Sequence, residues 1–206
     1  MHLRWDPSPL SLLDVAVTLE VVEPPAVDEL YFWALQASFV DGGRHIGAAH
    51  LGLQWYAPYP GSTAVNWGGY RDGAGELEGE PSTLPSALGN PNTRDFAWWP
   101  RRPYRLRISG DGDGWWTGSV SDLTTEETTV VRRLHGGGRA LANPLVWSEV
   151  FARCDDPSVV VRWSDLSPQP VRLLPSYQTH EDGGCANTAS RREGDAYLQI
   201  TNINRG

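Results

Sequence analysis

The chain has 206 residues, 40% of them hydrophobic and 20% charged, enough apolar content for a real core and too little charge for a disordered chain. Seventeen basic residues against 25 acidic ones leave a formal charge of −8, which argues against nucleic acid or an anionic membrane as partner. No apolar run approaches the roughly 20 residues needed to cross a bilayer. The opening MHLRWDPSPL lacks the sections of a secretory signal, so the sequence as it stands reads as cytoplasmic, or as secreted if a signal has been removed.

Apolar residues recur with period two between Gly- and Pro-rich breaks, the signature of strands rather than helices. Asp14 to Val22 alternates, with Val15, Val17, Leu19 and Val21 on one face. Leu30 to Phe39 is nearly continuous and reads as a central strand covered on both sides. Asp41-Gly42-Gly43-Arg44 turns the chain into a second long strand, His45 to Tyr56, and Thr63 to Tyr70 follows. Residues 71–102 form a long Gly/Pro/Ser-rich loop of the kind that often serves as a lid or binding loop. Further alternating segments run from Tyr104 to Ala196 and beyond. They bring the total to about ten or eleven strands, with no repeat and no linker between two cores. The expected fold is all-β: one antiparallel two-sheet jelly-roll sandwich domain over residues 1–206.

The strand faces suggest where ligands bind. Ile46, Ala48, His50, Gln54 and Tyr56 share one face, with Ala49, Leu51, Leu53 and Trp55 on the other. Asn66 and Tyr70 share a face of the next strand, opposite Val65 and Trp67, and Gln36 lies on a neighbouring strand. If these strands are adjacent, Gln36, His50, Gln54, Asn66 and Tyr70 line a concave polar surface beside the aromatic rings of Trp67, Trp116 and Trp147. That surface suits a glycan or another ring-rich small molecule. A lectin-like binder is therefore the leading expectation. The alternatives are an enzyme on the same scaffold (a glycan lyase or hydrolase, or a small-molecule cyclase) and a structural interaction domain.

For an enzyme, Glu149 is the carboxylate of interest, because it shares a face with Trp147, Phe151 and Arg153 and either pairs with the arginine or acts as an acid or base. His50 and Tyr70 are the other candidate catalytic groups, with Arg105 and Arg107 as neutralisers of a substrate carboxylate. No cofactor and no metal are called. Asp111-Gly112-Asp113 reads as a turn before a calcium loop, and Gln178, His180, Glu181, Asp182, Cys185 and Asn187 as a hydrogen-bonded loop before a metal site. Cys154 and Cys185, the only cysteines, are either a disulfide or two separate thiols, with Cys185 as nucleophile beside His180 a lesser reading. The sequence leaves the oligomeric state unknown.

The stretches His2-Leu3-Arg4-Trp5, Tyr31-Phe32-Trp33-Ala34-Leu35-Gln36 and His50-Leu51-Gly52-Leu53-Gln54 resemble the uncharacterised bacterial domain family DUF3472. So do Pro103-Tyr104-Arg105-Leu106, Trp147-Ser148-Glu149-Val150 and Gly183-Gly184-Cys185-Ala186-Asn187-Thr188. The resemblance implies a concanavalin-like jelly roll, common in secreted proteins and beside carbohydrate-active modules, and it implies no particular activity.

Overall fold

The computed structural model describes residues 1–73, 75–170, 172–176, 185 and 187–203. Two antiparallel sheets face each other. The first holds eight strands: β1 (His2–Asp6), β3 (Tyr31–Asp41), β4 (Arg44–Trp55), β5 (Thr63–Arg71), β6 (Gly75–Glu76), β7 (Thr93–Asp95), β11 (Ala140–Val150) and β13 (Arg172–Ser176). Their order is β13-β1-β11-β3-β4-β5-β6, with β7 also paired to β5. The second sheet runs β10 (Glu127–His135), β9 (Trp115–Asp122), β8 (Pro103–Gly110), β2 (Asp14–Glu23), β12 (Val159–Ser167), β15 (Ala196–Thr201) and β14 (Ala189–Glu193).

The described residues thus form fifteen strands, more than the alternation counted. The additions are β1 and β14, of five residues each, with Leu3 and Trp5 alternating inward in β1, and the shorter β6 and β7, which period-two patterning cannot register. β6 and β7 have two and three residues and lie within the long loop, which is therefore fastened to the sheet edge over part of its length. Tandem hairpin connections such as β3–β4 and β8–β9 put sequential strands side by side, and crossovers such as β11 beside β3 close the sandwich.

Between the sheets the core is aromatic. Trp33, Trp67, Trp116 and Trp163 are fully buried with Tyr31, Tyr104 and Phe39. Trp116 of β9 stacks on Phe39 of β3 with ring centroids 5.7 Å apart. Trp67 of β5 lies against Gly118 of β9, where an added Cβ would come 2.7 Å from the indole. The absent side chain is what lets the two layers approach at that point. Cutting such an indole back to alanine costs about 3–5 kcal/mol. β3 is buried on both faces, as its continuous apolar run implied, since Phe32 and Ala34 join Leu145 and Trp147 in a second cluster on the side away from the core.

Candidate functional site

That second side is the outer face of the eight-stranded sheet, and the pairing register places its residues in rows across β11, β3, β4 and β5. One row is Glu149, Phe32, Gln54 and Ala64; the next is Trp147, Ala34, Gly52 and Asn66. A third is Leu145, Gln36, His50 and Gly68. Alanine and glycine in the middle row leave room above the sheet, and three rings fill it. Phe32 meets Trp147 at 4.8 Å and His50 at 5.5 Å, and His50 meets Trp147 at 5.7 Å, all edge to face. Ala34 beneath them is 0% exposed and Trp147 9%, so the open hollow expected from the sequence is occupied at its centre by the protein's own rings. The polar groups stand around this aromatic cluster.

Each polar group has a definite orientation. The Trp147 indole Nε1–H donates to Gln36 Oε1 at 3.0 Å, and because an indole nitrogen can only donate, the amide NH2 of Gln36 is left free of that contact. Tyr59, just before the 3-10 turn Pro60–Ser62, donates its hydroxyl to Gln54 Oε1 at 3.0 Å. Asn66 donates from Nδ2 to Thr93 Oγ1 at 2.8 Å, inside the protein. Its Oδ1 is buried without a full hydrogen bond and favours the protonated form of the His50 ring beside it. Burial outweighs that contact and pushes the His50 pKa down to about 4, so the imidazole is neutral over most of the pH range.

The other expected site residues are scattered. Tyr70 lies on the same face but at its rim, 50% exposed and paired with Ala48. Glu149 sits across Phe32 from Gln54. It is two strands and four residues from His50, about 16 Å by sheet spacing, so the two do not act as a direct pair. Arg153 pairs with Asp155 and Asp156, each at 3.9 Å. Trp67 and Trp116 are core residues, both 0% exposed, and cannot contact a ligand on this face. Arg105 and Arg107 do point outward, but from the opposite sheet. Arg105 donates to the Asp165 carbonyl and Arg107 pairs with Asp14. Arg107 lines an open groove of about 690 Å³ there with Ser109, Trp115, Thr117 and Arg133.

The structure adds Phe32, Tyr59 and Thr93. Phe32 was within reach of the alternation, since it shares parity with Gln36. Tyr59 lies in the turn between β4 and β5 and Thr93 opens a strand of only three residues, so neither carried a periodic signal.

Cys154 and Cys185 form a disulfide, so Cys185 is no nucleophile. Asp113 accepts the Trp115 backbone N–H at 2.8 Å in a tight turn. Among the described residues no cluster of three His, Cys, Asp or Glu is arranged for a metal ion. Gln178, His180, Glu181 and Asp182 lie outside the described residues.

An antiparallel sandwich with a crowded, polar-rimmed outer face is the class the structure defines. No family model and no curated protein matches the chain. Solved structures do. The chain is similar to scytalido-glutamic peptidase with a transition state analog inhibitor: TM-score 0.52, 10% identity, 96% of this chain and 95% of that one covered. It is similar also to SCP-B, a member of the eqolisin family of peptidases, in complex with the tripeptide Ala-Ile-His: TM-score 0.52, 8% identity, 96% of each chain covered. At such identity the shared property is the fold.

Proposed function

We propose that the protein is a hydrolase whose substrate, an extended polypeptide, lies across the outer face of the eight-stranded sheet, with His50 as the proton-carrying group. The observation that carries this reading is the cross-strand pair of Gln36 and His50. A neutral imidazole stands directly beside an amide whose carbonyl is held by Trp147 and whose NH2 is thereby left to donate. In amide hydrolysis His50 takes a proton from water as its oxygen adds to the substrate carbonyl carbon. The Gln36 NH2 donates to the carbonyl oxygen as it gains negative charge. The proton then passes from His50 to the leaving nitrogen as the C–N bond breaks, giving a carboxylic acid and an amine. The solved peptidases of the same fold support a peptide rather than a glycan as substrate.

A second reading is a face that binds such a chain without cleaving it. It is favoured by the row Leu145, Gln36, His50 and Gly68, which contains no carboxylate to assist the imidazole.

Incubating the protein with an unfolded polypeptide between pH 3 and 7 and following new amino termini separates the two. Cleavage by the natural chain that His50→Phe abolishes supports the hydrolase. Saturable tryptophan quenching with no new termini supports the binder and ends the hydrolase reading.

A further inference from the structure

The long loop between β5 and β8 has no part in the reaction as drawn, yet it brings one hydroxyl under the site. Thr93 opens β7, pairs with Asn66 of β5 in register and is 1% exposed. Its Oγ1 accepts from Asn66 Nδ2 at 2.8 Å. The Thr93 hydroxyl also lies near the Tyr59 hydroxyl, where it partly offsets the upward push of burial on that group. Tyr59 in turn donates to Gln54 Oε1 at 3.0 Å. Two donor–acceptor pairs thus stand side by side, Asn66 to Thr93 and Tyr59 to Gln54. The loop is itself pinned at the preceding residue. The Asn92 carbonyl accepts the Trp67 backbone N–H at 2.9 Å, and the Asn92 side chain accepts from buried Arg132 of β10.

We propose that Thr93 is a positioning residue: by engaging the Asn66 NH2 it turns Asn66 Oδ1 toward the His50 ring and fixes the orientation in which that ring meets a substrate. Without the hydroxyl the Asn66 amide has no reason to keep its NH2 toward β7, and it is free to present either end to the imidazole. The groups around His50 on the surrounding strands are Gln36, Phe32, Trp147 and Asn66, with Tyr70 two residues beyond Gly68, and none is a carboxylate or an arginine, so Asn66 is the member of the set that biases its protonation. The inference deepens the hydrolase reading and rests on it only for the kinetic consequence.

The test is an NMR titration of the His50 imidazole from pH 3 to 7 in the full chain, comparing the natural protein with Thr93→Val, Thr93→Ser and Asn66→Leu. Thr93→Ser keeps the hydroxyl and is expected to titrate like the natural protein. Thr93→Val and Asn66→Leu are expected to lower the proton affinity of His50 by about twofold or more. If Thr93→Val does not fold, Thr93→Ala carries the same expectation in a smaller side chain. A Thr93→Val or Thr93→Ala protein whose His50 titrates with the natural one while Asn66→Leu shifts it overturns the assignment, as does Asn66→Leu without effect. On a peptide substrate, Thr93→Val is expected to cut kcat about fivefold or more with KM nearly unchanged. A natural protein with no turnover at all ends the hydrolase reading and leaves the titration to decide Thr93 by itself.

Discussion

Trp147 holds Gln36 in a single orientation: the indole proton sits on the amide oxygen at 3.0 Å, and the indole ring packs edge to face on both Phe32 and His50. One side chain therefore orients the Gln36 amide and walls the His50 ring. Trp147→Phe preserves much of the packing and deletes the donor. It is expected to lower stability by about 1 kcal/mol in urea unfolding. Turnover is expected to fall about tenfold, because Gln36 then has no reason to face the substrate with its NH2. A variant that loses stability by this amount and keeps full turnover removes Gln36 from the reaction.

The histidine on this face makes stability depend on pH in a defined direction. His50 has a pKa near 4 in the folded protein against 6.5 when unfolded, so the unfolded chain binds the extra proton first. Stability is complete above pH 6.5 and declines as the pH falls toward 4, by up to about 3 kcal/mol from this residue. His2, also held near 4 chiefly by burial, adds to the same acid limb. Urea midpoints measured from pH 4 to 8 are expected to fall on acidification, and His50→Phe to flatten that dependence. An unchanged slope in the variant shows that His50 titrates normally.

Gly118 is required where Trp67 crosses the interface. A Cβ at this position lies 2.7 Å from the ring, and neither the fully buried indole nor the facing strand has space to withdraw. Gly118→Ala is expected to destabilise by about 1–3 kcal/mol, seen as a lowered Tm.

The disulfide joins the segment after β11 to the segment before β14, and the two cysteines are 31 residues apart. Replacing both by serine releases that loop and is expected to cost about 3–4 kcal/mol, measured by denaturant unfolding. Adding a reductant to the natural protein is expected to give the same midpoint as the double variant, and to leave the variant itself unmoved.

The alternation made the layers legible, because each strand face follows from parity alone. It placed His50, Gln54, Asn66 and Tyr70 on one side and Trp67 on the other, and the structure keeps that division. Parity cannot say which sheet a strand joins. Arg105 and Arg107 do face outward, as their alternation with Leu106 and Ile108 requires, but on the far layer. Nor does it give position along a strand: Glu149 and His50 share a face and still stand far apart. Thr93 and Tyr59 were hidden for a different reason. Thr93 is placed by where the long loop is fastened, which depends on Asn92, Arg132 and a glycine at 68 whose missing Cβ leaves room for the Asn92 side chain, and Tyr59 is placed by the hydrogen-bonded turn between β4 and β5.

The guanidinium of Arg132 starts on β10, at the margin of the seven-stranded sheet, and ends on the Trp67 carbonyl and Asn92 of the opposite layer. It is a tether between two walls, and the residue next to its anchorage is Thr93. Removing that guanidinium, as in Arg132→Ala, is thus expected to release the Asn92 end of the loop and, with it, the short strand that carries Thr93.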